Sequence, residues 1–379
     1  MTWACIARFG GVGDNLIASA VLPGLRAKYG RVEVITQHPQ HVTFENNPFV
    51  DKLSVHQKDD LPEGADWQKW FVTRGKETAF FANLSHSLET LRALLPGQTQ
   101  FYWSAEFRRK FCGQSYLETV ADICGVPYDT LAPGFFPTDE EHAQAEAFKA
   151  KLGGRVIGWV LAGTRIDKVY PWSPDVVERL VRDVAPVVML GMPNEKQLKI
   201  AETITGQVQR GNGTTDGLAL GVSPSWPLRR VLTMAQHCDL VIGPDTGPMW
   251  AVAACAMPKI MLLSHASPEN ITKYWRNTTT LHADPARVNC FPCHRLHDTP
   301  EFCRVNAEGN AAACISDISV SRLMTAVAQA WSTLDVRDRP RPTPQVIPRD
   351  GGAARPRPHA RRKSAHAANG TGGAPYSAP

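Results

Sequence analysis

A unit that recurs along this chain constrains its fold more than any other feature: a short apolar run, a glycine-containing turn, then helical periodicity. Trp3 to Phe9 reads as a buried strand and Gly10-Gly11-Val12-Gly13 as a tight turn. Asp14 to Tyr29 has helical spacing through Leu16, Ala20, Leu22 and Leu25, with Pro23 predicting a kink and Gly30 a stop. Val32 to Thr36 and Val50 to Val55 supply the next strands. Strand, helix and strand in this order dictate a parallel sheet with right-handed crossovers.

The pattern then restarts. Arg155 to Leu161, Val187 to Leu190, Leu240 to Gly243 and Lys259 to Ser264 read as strands. Helical segments lie between and beyond them at Asp175 to Val184, Glu195 to Thr205, Leu228 to Cys238 and Pro248 to Met257. Val320 to Leu334 is a final amphipathic helix. A break between Pro137 and Gly154 separates two series, so the expected fold is α/β, with two Rossmann-like domains facing a cleft. The expected divisions are 1–150, 151–335 and a tail, 336–379.

Charge sets the tail apart. It holds nine of the 41 Lys and Arg but two of the 36 Asp and Glu, leaving 32 basic and 34 acidic side chains in the rest. The body therefore gives no general case for nucleic-acid binding. Rich in Pro, Arg, Gly and Ala, the tail is expected to be disordered, because it has too few apolar residues to offset chain entropy. Its basic run, Arg361-Arg362-Lys363, could touch anionic lipid or nucleic acid, but a solvated tail with no specific partner is the favoured reading. Arg8, Asp14, Arg26 and Lys28 interrupt any signal-peptide core, and the longest apolar run, Ala251 to Leu263, holds Pro258 and Lys259. Nine cysteines, an odd number, argue against a fully paired disulfide framework. A cytoplasmic enzyme, peripheral at the inner membrane face through its tail, is the expectation.

The chemistry-bearing residues cluster where strands end. Gly10 to Asp14 opens a helix, where glycines allow close backbone approach and the helix start favours anions. As a dinucleotide fingerprint it is incomplete: Gly11 and Gly13 supply two glycines, Leu16 replaces the third, and Glu33 lies inside a strand. Asp14 serves equally as a helix cap. Asp245-Thr246-Gly247-Pro248 repeats this architecture, and its amides and the Thr246 hydroxyl suit a diphosphate. Lys168, in the loop Gly163-Thr164-Arg165-Ile166-Asp167-Lys168 after a strand, is well placed for a phosphate.

In this order these residues resemble glycosyltransferase family 9, the ADP-heptose:lipopolysaccharide heptosyltransferases, over residues 3–334. Gly13-Asp14 with Leu16 and Ile17 matches the opening motif, and Thr164-Arg165-x-x-Lys168-x-Tyr170-Pro171 the central one, with Tyr for Trp. Gly191 to Glu195 and Asp245-Thr246-Gly247 complete the series. The resemblance implies a GT-B fold, with an acceptor-side first domain and a nucleotide-sugar-binding second domain whose last helix packs back across both. It implies Asp14 as catalytic base and Lys168 as the cation opposing the leaving diphosphate. It places the donor at Gly13, Thr164, Lys168, Glu195 (on the ribose), Asp245, Thr246 and Gly247. The implied reaction is inverting transfer without a cofactor or metal, from a nucleoside-diphosphate sugar such as ADP-heptose to a saccharide or glycolipid such as the lipopolysaccharide core. Trp250 stands where the family usually has His, removing the imidazole's donor and proton functions and adding bulk.

Two further groups stand outside these motifs. Arg108-Arg109-Lys110 could bind an anionic acceptor, or form a solvated helix face. Cys290, Cys293, Cys303 and Cys314 invite a zinc reading, but gaps of nine and ten residues do not repeat a Cys-x-x-Cys pair, so free buried thiols are expected. Rival readings of the whole are a catalytically inert sugar-nucleotide binder and a nicotinamide-dependent oxidoreductase.

Overall fold

A computed structural model describes residues 3–57, 64–163, 165–192, 194–222, 226–297, 299–306 and 311–334. The basic tail, 336–379, and Thr164 lie outside the described residues.

The first series forms β1 (Trp3–Ala7), β2 (Arg31–Gln37), β3 (Lys52–His56) and β4 (Phe80–Asn83), a parallel sheet in the order β3-β2-β1-β4. Its helices are α1 (Val12–Ser19), α2 (Leu22–Tyr29), α3 (Gly64–Glu77), α4 (Ser87–Leu91), α5 (Ala105–Cys112) and α6 (Tyr116–Cys124). The helix expected from Asp14 to Tyr29 is two helices. Pro23 lies in the first turn of α2, where its missing N–H costs nothing.

After α7 (Asp139–Lys151) come β5 (Ile157–Val160), β6 (Val187–Leu190), β7 (Leu218–Gly221), β8 (Leu240–Pro244), β9 (Lys259–Leu262) and β10 (Thr278–Leu281). They form a second parallel sheet, ordered β10-β9-β8-β5-β6-β7. Strands β5, β6, β8 and β9 are buried along their whole length, as near-continuous apolar strands covered on both faces must be. The connecting helices are α8 (Ser173–Asp183), α9 (Glu195–Asn212), α10 (Leu228–His237), α11 (Gly247–Ala251) and α12 (Pro268–Ile271). Helix α11 is shorter than the expected Pro248–Met257. The Ala253 carbonyl accepts from the Arg276 amide, taking the place of the bond a continuing helix would give it. A short hairpin, β11 (Val305–Asn306) with β12 (Ala311–Ala312), precedes α13 (Ala313–Ser316) and α14 (Val320–Ser332).

One core joins both sheets. It runs from Ile6, Leu16 and Leu117 to Val160, Trp250 and Met261. Helix α14 contributes Leu323, Ala326 and Val327 to a second core and packs on α8 and β9. Its buried face therefore belongs to the six-stranded sheet, a correction to the expected packing back across both halves.

Each sheet reverses its strand order once, between β1 and β4 and between β5 and β8. Such switch points open crevices at the carboxyl ends of the strands, where ligands bind in open α/β sheets. The turns after β1, β5 and β8 carry Asp14, Lys168 and Asp245. The first and third turns abut: a Cβ on Gly13 would lie 3.3 Å from Trp250, and one on Gly247 would lie 2.5 Å from Val12. A side chain at Gly247 would collide with Val12, and one at Gly13 would press on the Trp250 ring, so glycine lets the two turns meet here.

Candidate active site

The turns enclose a cleft of about 400 Å³ lined by Gly13, Asp14, Lys168, Asp245, Thr246, Gly247 and Trp250, among others. Of the expected donor and catalytic residues, the structure brings all these together. Glu195 is exposed in the first turn of α9, after the Asn194 cap, and is not among the lining residues.

Asp14 sits at the third position of α1. Its Oδ2 accepts from the Gly11 amide at 2.9 Å, and its Oδ1 meets Arg8 Nη2 at 2.9 Å. It is thus both cap and ion-pair partner, yet its side chain keeps 31% exposure toward solvent. Arg8 is buried at the end of β1 and also holds Glu89 at 3.1 Å. Burial disfavours its charge, but Asp14 and Glu89 outweigh this and raise its pKa, so the guanidinium stays ionised.

On the opposite wall, Lys168 Nζ lies 3.1 Å from Asp245 Oδ2. The other oxygen, Oδ1, accepts from Trp250 Nε1 at 2.7 Å. Burial alone would raise the Asp245 pKa, but Lys168 leads the opposing influences and the carboxyl stays below its usual range. Trp250 is 1% exposed and packs edge-on against Trp275. The expectation for Trp250 is therefore corrected in one respect. The indole lacks an imidazole's proton chemistry, but it still supplies an N–H donor, aimed at Asp245. The Thr246 hydroxyl donates to the Pro244 carbonyl at 3.2 Å, so its availability to a phosphate requires that bond to turn.

Arg108 and Arg109 are held by backbone carbonyls rather than lying on a solvated helix face. Arg108 is buried and donates to the carbonyls of Cys293 (2.8 Å) and Trp103, while Arg109 reaches those of Asn289 (2.6 Å) and Phe291 (3.0 Å). Both fasten α5 to the segment around residue 291, leaving Lys110 exposed. Cys290, Cys293, Cys303 and Cys314 are free thiols lining one small cavity of about 40 Å³. Burial pushes Cys293 up to about 12 and Cys303 to about 11. Among the described residues no group of three or more His, Cys, Asp or Glu stands ready to hold a metal.

The sequence reading missed a chain of polar residues at the back of the cleft. Asp167 Oδ2 lies 3.0 Å from His265 Nδ1 and accepts from the Ser264 hydroxyl at 3.0 Å. His265 Nε2 faces the Tyr116 hydroxyl at 3.4 Å. Burial would raise the Asp167 pKa, but the His265 hydrogen bond and the nearby cations drive it well below the carboxylate range. Their placement after strands β5 and β9 was the available signal.

The model of glycosyltransferase family 9 (heptosyltransferase) matches residues 108–299, just over half the chain. The chain belongs to glycosyltransferase family 9. This family 9 glycosyltransferase has no match among curated proteins. Its fold is shared with solved structures at low identity. The family 9 glycosyl transferase from Veillonella parvula DSM 2008 is 15% identical with a TM-score of 0.61, over 87% of this chain and 98% of that one. The ADP-heptose lps heptosyltransferase II of E. coli is 13% identical with a TM-score of 0.58, again over 87% and 98%. TibC of enterotoxigenic E. coli, described as an iron-containing dodecameric glycosyltransferase, is 12% identical with a TM-score of 0.54, over 88% and 77%. The GT-B-like architecture expected from the sequence is the one found. No helix among the described residues is long and apolar enough to cross a membrane.

Proposed function

We propose that this enzyme moves a sugar, heptose or a relative, from a nucleoside diphosphate to a saccharide or glycolipid hydroxyl, with inversion and without a metal in the transfer step. The supporting observation is that a carboxylate, Asp14, and an ammonium, Lys168, approach one cleft from different sheets at their switch points. A single displacement needs a base beside the acceptor hydroxyl and a cation beside the departing diphosphate. Asp14 removes the acceptor proton, with Arg8 and the Gly11 amide holding the carboxylate in place. Lys168, oriented by Asp245, opposes the charge that develops on the leaving group. Glu195 takes the ribose where the nucleoside runs beyond the cavity toward α9. The two E. coli relatives support ADP-heptose as the first donor to try: one is named for ADP-heptose and lps, and TibC has been solved with ADP-D-beta-D-heptose. Screening ADP-, UDP- and GDP-sugars for donor hydrolysis and transfer tests the reading. Binding without turnover across the panel would instead identify an inert sugar-nucleotide binder.

A further inference from the structure

Among the described residues, each lysine or arginine lining the cleft already has a carboxylate: Lys168 has Asp245 and Arg165 has Asp167, both at 3.1 Å. These pairs sum to no net charge. Asp14 and Glu89, which share Arg8, leave one net negative charge beside them, so a nucleotide sugar with two ionised phosphates is favoured by a further positive charge here. His265 lines the same cleft, 3% exposed, and its charge is not fixed.

Its hydrogen bonds dictate what a proton would do. Asp167 accepts from Nδ1, so a neutral ring presents a bare Nε2, which must accept from the Tyr116 hydroxyl. A proton added at Nε2 reverses that bond. The Tyr116 oxygen then accepts from Nε2, and its own O–H is released to donate into the cleft, which Tyr116 also lines.

We propose that binding of the donor diphosphate draws one proton from solvent onto Nε2 of His265, so that Asp167, His265 and Tyr116 act as a proton-gated phosphate-binding relay. The proposal rests on the nucleotide-sugar reading above. Tyr116 is the contact residue, and His265 and Asp167 position it. The groups facing His265 are Asp167, Arg165 and Lys168 on the turn after β5, Tyr116 on α6, Ser264 beside it and Asp245 after β8. His294 also faces it, its backbone amide donating to the His265 carbonyl. Burial lowers the His265 pKa, with Lys168 and Arg165 adding to the effect against Asp167, so the free imidazole is neutral near pH 7. Phosphates beside it favour the charged ring. Affinity should therefore fall as pH rises through the value of the bound state.

Isothermal titration of the full chain with the best-binding nucleotide sugar of the panel, near neutral pH in buffers of different protonation enthalpy, counts the protons taken up. Both phosphates of such a ligand are diesters and do not titrate there, so any proton belongs to the protein. Wild type should take up about one proton, and His265→Gln about none, with affinity lower by about tenfold. Tyr116→Phe should also abolish uptake while leaving the Lys168–Asp245 pair in place. Wild-type binding without proton uptake would overturn the relay and leave the nucleotide-sugar reading standing. Should no nucleotide sugar bind wild type, that reading falls and the relay falls with it. The wild-type count decides the matter even where a variant fails to fold.

Discussion

At the scale of single residues, the cleft works by pairing. Asp14 carries the sharpest prediction. Asp14→Asn keeps the oxygen that caps Gly11 but cannot take a proton, so turnover should fall by about 10²–10⁴ with donor affinity little changed. Steady-state kinetics beside nucleotide titration would show this, and near-normal turnover would remove Asp14 as base. Glu195 predicts the opposite split. A ribose contact is equally strong in ground and transition states, so Glu195→Ala should raise the donor KM and spare kcat. An unchanged KM would mean that the nucleoside does not extend toward α9. Trp250→Phe keeps most of the ring but leaves a buried carboxylate oxygen without its donor, which should cost about 1.5–3 kcal/mol in denaturant unfolding.

At the scale of elements, Arg108 on α5 belongs to stability rather than to acceptor recognition. Arg108→Ala would strand two carbonyls and should lower stability by about 1–3 kcal/mol while leaving acceptor KM alone. A raised acceptor KM at full stability would favour the acceptor patch that the sequence offered beside a solvated helix face. The sequence could not place these side chains, for a general reason. A run of three basic residues shows its charge in the sequence, but not the carbonyls, most of them 180 or more positions away, that absorb it. Strands β1, β2, β5, β6, β8 and β9 were legible because buried parallel strands are continuous apolar runs, whereas β4, β7 and β10, only partly buried, left no such run and were missed. Asp14, Lys168 and Asp245 were legible because each follows such a run. Arg8, Glu89, Tyr116 and His265 were not, since topology alone brings Tyr116 to His265 across 149 residues. The length of α11 was likewise hidden, because a distant amide at Arg276 decides it.

For the whole molecule, the joint between α7 and α10 sets a limit on acid stability. His142 Nδ1 and His237 Nε2 stand 2.8 Å apart there. Burial, then the neighbouring His142 and Lys149, lowers His237 from 6.5 to about 4. A histidine whose folded value is depressed leaves stability intact above the unfolded value and removes it as pH falls toward the folded one. The melting temperature should therefore drop between about pH 6.5 and pH 4, and a His142→Gln, His237→Gln double variant should flatten that drop. An equally steep drop in the double variant would place the acid sensitivity elsewhere.

The abutting turns tie positions 13 and 250 together. Trp250 lies 3.3 Å from the point where a side chain at position 13 would begin, tighter than ordinary contact. A methyl group added at 13 therefore pushes the indole by a few tenths of an ångström, and with it the N–H that Asp245 Oδ1 accepts. A change in the turn of one sheet is felt at the carboxylate of the other.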